Sequence, residues 1–349
     1  MLQVYSDIVQ FEGNHYDFGY MQGELLKDSP ILPNRKKQWF SKQTHQFIIN
    51  EHEFRSVIHA FAPSIWEEIR GLSDALKIKM GDAIREFGGY YLEYGRSGCS
   101  IFTGSDYMIR NYDNDPLSYE GRYMIYKPTD SGYAAAGPSM QITGRTDGMN
   151  EKGLAMGYNF INRRQSGDGF VCNMIGRIIL ETCANVDEAV SLLKEIPHRH
   201  SFSYVLLDQS GETLVVEASP RTVEVRKANV CTNHFDILTE ENRYRMDDSK
   251  RRHETILKQQ NTATNSYKAF RMMNDADKGV FSTNYGAWSG TLHTSIYYPK
   301  ELKVGIALGG DRLPLTIDVN TWLRGENFKA KRIKGQLDTT TPFVNMVKL

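Results

Sequence analysis

The stretch YGRSGCSIFTGSDYMIRNYDND, from Tyr94 to Asp115, decides how the chain is divided. Cys99 follows Gly98 directly, at the point where helical patterns end and strand patterns begin. After it, SIFT and YMIRNYD alternate around GSD, whose residues favour a turn, so the stretch predicts a β-hairpin. A lone cysteine at such a position is either a small apolar core residue or a nucleophile, and the rest of the chain has to decide between the two.

The region before Cys99 carries mainly helical patterns. In PSIWEEIRGLSDALKI, residues 63–78, Ser64 is followed three residues later by Glu67, which is the pattern of a capping box at a helix start. A second helix is predicted from about Gly81 to Tyr94. Apolar residues in the first of these helices recur near the helical period and predict one buried face: Ile65, Ile69, Leu72, Leu76 and Ile78.

The region after Cys99 is rich in predicted strands. Residues 132–160 are predicted as strand, turn and strand, with DGMNEKG as the turn. Residues 173–197 predict two helices broken near Ala184 and Asn185, and the later segments are again β-rich. This order predicts an α+β architecture in which helices pack on stacked antiparallel sheets.

Composition excludes several classes of protein. The 349 residues carry 42 basic and 42 acidic side chains without a long run of either sign, so a nucleic-acid-binding surface is not expected. No apolar run reaches membrane-spanning length, and the first residues lack the pattern of a secretory signal. The four cysteines form no CxxC pair, which predicts reduced thiols in a cytoplasmic protein without structural zinc: Cys99, Cys172, Cys183 and Cys231. No metal or cofactor is predicted.

Four motifs follow one another in an order that resembles a known family: GC…IRNYDND, GMNEKGLAMGYNF, VCTNHF and DDSKRR. They resemble N-terminal nucleophile amide hydrolases of the choloylglycine hydrolase superfamily, which includes bile salt hydrolases and penicillin V acylases. The long leader, with FEGNHYDFGYMQGE and EEIRGLSDAL, is most similar to the acyl-coenzyme A:6-aminopenicillanic acid acyltransferase branch. The resemblance implies a four-layer αββα sandwich of antiparallel sheets. It implies a mostly helical leader or small subunit, residues 1–98, packed on a catalytic domain, residues 99–349.

The resemblance also implies that the chain cuts itself between Gly98 and Cys99. A free cysteine thiol has a pKa of about 8.5, so it needs a base at neutral pH. In this class the base is the α-amine of the same residue, which titrates at about 7.7–8.0 once the cut has freed it. Glycine at position 98, lacking a Cβ, would let the thiol approach the scissile carbonyl closely.

Two residues of the RNYD motif receive roles from the resemblance. Asp113 would hold the Cys99 amine by a charge-assisted hydrogen bond, and Arg110 would favour the thiolate form of the sulfur. The two lie three residues apart, so strict strand alternation would place them on opposite faces. The roles therefore predict a bend or bulge near Tyr112.

The resemblance also implies roles for residues in the later motifs. Asn159 and Asn233 would donate hydrogen bonds to the oxyanion formed during acyl transfer, although asparagine also caps turns at strand ends. Arg252 matches the second arginine of the family in a Ser-x-x-Arg arrangement that starts at Ser249, and its neighbour Arg251 is the alternative.

The sequence therefore predicts a self-processing cysteine amidohydrolase or acyltransferase that acts on a linear amide or a small acylated amine, with an acyl thioester as a further candidate donor. Hydrolysis and acyl transfer remain open, and so does homo-oligomerisation. A thiol hydrolase of Cys-His type that uses His234 or His253 without chain cleavage is one alternative. A ligand-binding relative without turnover is another.

Overall fold

The computed structural model describes residues 1–41, 50–90, 98–161, 166–242, 246–262, 265–286 and 289–346. Within these ranges the helices are α1 (His15–Lys27), α2 (Ile31–Ser41), α3 (Glu51–Phe61), α4 (Pro63–Leu76), α5 (Met80–Phe87), α6 (Cys172–Thr182), α7 (Val186–Glu195), α8 (Asp247–Gln259), α9 (Ser266–Asn274) and α10 (Val319–Leu323). None of the described helices is long and apolar enough to span a membrane.

The strands of the described ranges form two sheets. The larger sheet has ten strands: β1 (Leu2–Gly13), β4 (Arg122–Pro128), β5 (Ala135–Met140), β6 (Gly144–Arg145), β7 (Asp147–Asn150), β8 (Ala155–Phe160), β9 (Phe202–Leu207), β10 (Thr213–Ala218), β11 (Val223–Arg226) and β16 (Arg332–Leu337). The smaller sheet has six strands: β2 (Ser100–Thr103), β3 (Met108–Asn114), β12 (Val230–Cys231), β13 (Gly290–Tyr298), β14 (Lys303–Leu308) and β15 (Leu315–Asp318).

The strand order of each sheet places β2 and β3 well inside the smaller one. The larger sheet runs β11-β10-β9-β8-β7-β5-β4-β1-β16, with β6 paired to β5, and the smaller runs β12-β2-β3-β13-β14-β15. Pairing among the described strands is antiparallel, apart from the parallel pair of β1 with β4. The predicted hairpin is present: Ser100 pairs with Asn111 and Thr103 with Met108.

Side-chain alternation along the strands produces four layers. Ile101 and Val205 belong to a core between the two sheets. Phe102 faces the other way, into a core shared with α8 and α9, and Leu206 faces a core shared with α6 and α7. Helices therefore cover the outer face of each sheet, which confirms the predicted αββα sandwich.

The leader contributes helices α1–α5 and also a strand that the sequence analysis missed. β1 lies within the larger sheet, with Asp7 opposite both Arg122 of β4 and Arg332 of β16. Two glycines of the leader motifs allow α1 and α4 to cross closely. A Cβ on Gly19 would lie 1.9 Å from the carbonyl oxygen of Glu68, and one on Gly71 would lie 2.1 Å from that of Tyr16.

Three local predictions were wrong or incomplete. Helix α4 begins at Pro63, so Ser64 lies inside its first turn, where its hydroxyl hydrogen-bonds to Ser131 instead of capping the helix.

The segment DGMN, predicted as part of a turn, is strand β7. The turn follows at Glu151, because the side-chain oxygen of Asn150 accepts hydrogen bonds from the N–H groups of Lys152 and Leu154. Helix α5 ends at Phe87, and the rest of the helix predicted to Tyr94 lies partly outside the described residues. The predicted break between α6 and α7 is present.

Candidate active site

Cys99 immediately precedes β2, with its side chain in the buried layer between the two sheets. In the continuous chain its sulfur has two polar neighbours that are described. The Arg110 guanidinium donates to it from Nη2 at 3.5 Å, and the thiol faces the main-chain oxygen of Asp113 at 3.8 Å. The sulfur is therefore buried beside a cation, not in hydrocarbon alone.

The other cysteines have environments that keep their thiols protonated. Burial raises the pKa of Cys172 well above its ordinary value and raises the pKa values of Cys183 and Cys231 to about 11. Desolvation disfavours a buried thiolate. Among the four cysteines, Cys99 is the one whose sulfur accepts a hydrogen bond from a guanidinium in the described part of the chain.

Arg110 is held rigidly against the sulfur. Its Nη2 also donates to the main-chain oxygen of Tyr158 at 2.5 Å, and its Nη1 donates to Asp147 at 2.8 Å. The guanidinium lies between the rings of Tyr112 and Tyr158, 4.8 and 4.9 Å from their centroids. Burial alone would lower the pKa of Arg110, but the charges of Cys99 and Asp147 raise it, so the side chain stays cationic.

Asp113 lies beside the predicted cleavage junction. Its Oδ1 accepts a hydrogen bond from the Thr291 hydroxyl at 2.6 Å. Its Oδ2 lies 3.5 Å from the position that a Cβ on Gly98 would occupy. Burial raises the pKa of Asp113 to about 7, although the Arg252 charge and the Thr291 hydrogen bond act in the opposite direction. The carboxyl group can therefore exchange a proton near neutral pH.

The bend or bulge predicted near Tyr112 is absent from β3, so Arg110 and Asp113 lie on opposite faces of this strand, Arg110 towards the larger sheet and Asp113 towards α8. β3 is continuous through Tyr112. The register shift lies on the neighbouring β13, where Thr291 pairs with Asp113 but His293 pairs with Tyr112. The extra residue is thus carried by the partner strand, a bulge that no local pattern in β3 could reveal.

Arg252 reaches the nucleophile from α8 on the outer face of the smaller sheet. Its Nη1 donates to the main-chain oxygen of Cys99 at 2.7 Å and to the Ser100 hydroxyl at 2.6 Å. Its Nη2 donates to Asn233 Oδ1 at 2.9 Å. Arg251 is exposed and donates to Gly279 and Asp248. The contacts at Cys99 are therefore made by Arg252.

The two asparagines sit near this group, each with its amide already engaged. Asn233 Nδ2 donates to the main-chain oxygen of Phe160 at 2.8 Å. Asn159 Nδ2 donates to the main-chain oxygen of Cys231 at 3.0 Å, and its Oδ1 has no hydrogen-bond partner among the described residues. An amide nitrogen has a second hydrogen, so Asn233 can still donate to an oxyanion, whereas Asn159 also hydrogen-bonds to the Cys231 thiol and would have to give up that contact. That role stays a prediction.

The histidines of the Cys-His alternative belong to a different group. His234 Nδ1 faces the Ser249 hydroxyl at 2.8 Å, and its Nε2 faces Asp236 at 3.3 Å. His253 packs edge-on against His234 at 5.4 Å between ring centroids. Both ring nitrogens of His234 are thus used away from the sulfur. Among the described residues, no group of three His, Cys, Asp or Glu side chains could hold a metal ion.

Sequence reasoning missed three residues of this neighbourhood. Asp147 stands immediately before the GMNEKGL motif, in a segment predicted as a turn, and it binds Arg110. Thr291 binds Asp113 from the late strand β13, and Ser289 Oγ lies 3.4 Å from a Cβ position on Gly98. Asp147 could have been suspected from its place next to a quoted motif. Thr291 and Ser289 carry no local signal, since pairing across about 180 residues brings them here.

Comparisons with known proteins identify the family of the chain. Residues 102–313 match the family described as acyl-coenzyme A:6-aminopenicillanic acid acyl-transferase, which is more than half of the chain. A search of curated proteins gives no match.

Solved structures of low sequence identity share parts of the chain. Penicillin V acylase from Agrobacterium tumefaciens is 18% identical over 64% of this chain and 86% of its own, with a TM-score of 0.46. A mutant conjugated bile acid hydrolase from Clostridium perfringens is 14% identical over 70% and 100%, with a TM-score of 0.47. An N-acylethanolamine-hydrolyzing acid amidase orthologue from Caenorhabditis elegans is 10% identical over 58% and 93%, with a TM-score of 0.40. From the extent of the family match, the chain belongs to the acyl-coenzyme A:6-aminopenicillanic acid acyl-transferase family, as the motif order predicted.

Proposed function

We propose that the chain is a self-processing cysteine amidohydrolase or acyltransferase of the N-terminal nucleophile type that works through a thioester on Cys99. One observation carries the proposal. The Cys99 sulfur lies 3.5 Å from the Arg110 guanidinium, while the Asp113 carboxyl group lies beside Gly98. A cation beside the sulfur favours thiolate, and a carboxylate at this junction suits an amine released there.

Self-cleavage begins when the Cys99 sulfur bonds to the Gly98 carbonyl carbon and the bond from that carbon to the Cys99 nitrogen breaks. The nitrogen takes a proton and becomes an amine. Water then cleaves the thioester, which leaves Gly98 as a carboxylate and Cys99 as a free thiol.

No free amine exists during the first step, so another group has to move the proton. Asp113 suits this task because burial raises its pKa to about 7 and because its backbone oxygen and carboxyl group flank the junction. A catalytic acid-base group works best when its pKa lies near the working pH. Asp113 accepts the thiol proton and passes it to the leaving nitrogen.

After the cut, the α-amine of Cys99 takes over as the base for its own thiol. The ammonium form of that amine pairs with Asp113, and Arg110 stabilises the thiolate. Asn159 and Asn233 donate to the oxyanion of the substrate, a contribution of about 2.7–4 kcal/mol for one such donor. Arg252 fixes the main chain of Cys99 and the side chain of Asn233 relative to each other, because it donates hydrogen bonds to both.

The substrate is a linear amide or a small acylated amine, and an acyl thioester is a second donor suggested by the family description. Either donor gives the same thioester on Cys99. Water then releases an acid, whereas an amine collects the acyl group as a new amide. The acceptor therefore decides between hydrolysis and transfer.

The experiment is a panel of N-acyl amines, N-acyl amino acids and acyl thioesters, assayed with and without an added amine. The wild type should release acyl product from at least one donor, and Cys99→Ala should lose this activity completely. A rise in new amide at the expense of free acid, as the amine concentration increases, would identify a transferase. Equal turnover by Cys99→Ala would exclude the proposal.

We further propose that the leader stays bound after cleavage as a small subunit. A group of buried charges, here named the interface cluster, joins it to the catalytic domain: His15, Glu68, Arg177 and Glu181. Arg177 Nη2 lies 2.7 Å from leader residue Glu68, and His15 Nε2 lies 3.2 Å from Glu181. Losing Glu68 would leave the charge of Arg177 undercompensated in the interior, which costs about 3–5 kcal/mol for a broken buried pair.

Gel filtration of the processed protein tests this second proposal. The two fragments should elute together at neutral pH and moderate salt. Separation of the fragments without denaturant would refute it.

We also propose a cytoplasmic location on the basis of the four free cysteines, and an intermolecular or intramolecular disulfide in protein from its native host would contradict that.

A further inference from the structure

The Arg110 guanidinium that contacts the Cys99 sulfur is paired with a second buried charge, which lies on the larger sheet. Asp147, at the start of β7, accepts from Arg110 Nη1 at 2.8 Å across the layer between the sheets. Both side chains are fully buried. Asp147 also accepts from the hydroxyls of Thr146 and Tyr297, each at 2.6 Å.

His293 completes this group and has a definite hydrogen-bonding pattern. Its Nε2 lies 3.2 Å from the Asp147 carboxylate, which can only accept when ionised, so Nε2 carries a hydrogen. Its Nδ1 lies 3.0 Å from the Tyr119 hydroxyl, which donates to it when the imidazole is neutral. The ring stacks on Tyr112, which also covers Arg110. A neutral His293 is thus fully satisfied between Asp147 and Tyr119.

We infer that Asp147, oriented by His293 and Tyr297, is a positioning residue that sets the acidity of the Cys99 sulfur through Arg110. The inference rests on the proposed function. Asp147 fixes one edge of the guanidinium whose other edge meets the sulfur, and its negative charge offsets part of the positive field there. The thiolate is therefore stabilised less than by an unpaired arginine and keeps more of its nucleophilicity, which falls as the thiol pKa falls.

Within the described ranges, charged and titratable groups face Asp147 from three elements and one loop: Arg110 on β3, Tyr123 on β4, His293 and Tyr297 on β13, and Tyr119 between β3 and β4. Burial would raise the pKa of Asp147, but the Arg110 charge and the hydrogen bonds from His293 and Thr146 outweigh it and hold the pKa far below its ordinary range. Asp147 thus stays anionic across the working range, and a change of its charge requires a mutation.

The test measures the pH dependence of Cys99 alkylation by iodoacetamide in the self-processed protein, with labelled peptides identified by mass spectrometry and Cys99→Ala as the blank. In Asp147→Asn, Arg110 remains held by the two tyrosine rings and the Tyr158 carbonyl while the negative charge is gone. The alkylation midpoint should move down by about one pH unit. The limiting rate at high pH should fall about threefold with it.

Tyr297→Phe should shift the alkylation midpoint in the opposite direction, and it still tests the inference if Asp147→Asn does not fold or process itself. It removes one hydrogen bond from the carboxylate and leaves its charge, so Asp147 pairs more strongly with Arg110 and the midpoint should move up. Glu68→Gln is the matched control, because it neutralises a buried carboxylate paired with a different arginine, and its midpoint should equal that of the wild type.

The outcomes separate the two levels of inference. Midpoints that shift down in Asp147→Asn and up in Tyr297→Phe support the role of Asp147. A midpoint unchanged in either folded variant, with an active wild type, overturns this inference alone. A wild type without Cys99-dependent alkylation or turnover overturns the proposed function.

Discussion

Two buried carboxyl groups, Glu181 in the interface cluster and Asp113 beside Cys99, are treated in opposite ways by their surroundings. Glu181 is fully buried, yet the charges of Arg177 and His15 outweigh burial and lower its pKa to about 2. Asp113 is as deeply buried, but its Oδ1 accepts from a neutral donor, the Thr291 hydroxyl, and burial raises its pKa to about 7.

The difference separates a group that holds the molecule together from one that is ready for chemistry. Glu181 is compensated by two cations within 3.2 Å, so it stays ionised and joins leader to domain. Asp113 is left undercompensated, which makes its ionised form costly and places its proton exchange near neutral pH. Stability and reactivity thus make opposite demands on the same residue type.

Breaking the interface cluster should give the largest effect on stability. Arg177→Met leaves Glu68 and Glu181 without their shared cation, so the free energy of unfolding should fall by about 3–5 kcal/mol. Denaturant unfolding of the uncleavable Cys99→Ala chain measures this. Arg70→Met, which breaks an exposed pair with Glu67, is the control and should cost less than about 1 kcal/mol. Equal losses in the two variants would show that the interface cluster is not what joins the leader.

Removing the charge of Asp113 should raise the free energy of unfolding, whereas breaking the interface cluster lowers it. In the uncleaved chain its pKa is about 7, whereas in the unfolded chain it is about 3.9. The folded state therefore binds more protons, and ionised Asp113 lowers stability above the unfolded pKa. On the Cys99→Ala background, Asp113→Asn should raise the free energy of unfolding at pH 8 by about 2–4 kcal/mol.

The pH dependence of that gain is the decisive part. The gap between the two chains should narrow as the pH falls from 8 and close below about pH 4, where Asp113 becomes protonated in the unfolded chain as well as in the folded one. The same substitution in the chain that keeps Cys99 should abolish self-cleavage. A destabilised Asp113→Asn chain at pH 8 would mean that Asp113 is a structural residue like Glu181.

Replacing Arg252 should have a smaller effect, on the rate of self-cleavage, that replacing its neighbour Arg251 does not have. Its planar fork contacts the Cys99 carbonyl, the Ser100 hydroxyl and Asn233, which lysine cannot reproduce. Arg252→Lys should slow self-cleavage about tenfold to hundredfold, since a hydrogen bond to a charged group contributes about 1.5–3 kcal/mol. Arg251→Lys should leave the rate unchanged, and a reversed order in a time course of cleavage would assign the role to Arg251.

Gly98→Ala should have the smallest effect, contrary to the steric argument from sequence. A Cβ there would meet Ser289, Asp113 and Arg252 at 3.4, 3.5 and 3.8 Å, which are ordinary contact distances. Cleavage should stay within about threefold of the wild-type rate, because such van der Waals contacts carry no strain. A hundredfold loss by the same time course would restore the need for glycine.

The sequence predicted what depends on local pattern or motif order. The hairpin that carries Cys99 and the α6–α7 break follow from alternation and helical period, and the motif order indicated the family and thus the sandwich. Strand β1 was missed although Val4, Ser6 and Ile8 alternate inward, because its partners begin at Arg122 and Arg332. Asp147 was missed for a similar reason, since its partner Arg110 lies on the other sheet. The bulge on β13 and the proton exchange of Asp113 arise from packing, which no local pattern encodes.

The central claim is that the chain severs itself before Cys99. Intact-mass measurement with N-terminal sequencing, on freshly purified wild type beside Cys99→Ala, tests it most directly. The account predicts two wild-type fragments, one ending at Gly98 and one beginning CSIFT, and a single uncut Cys99→Ala chain. A wild type that is fully active as one uncut chain would contradict it.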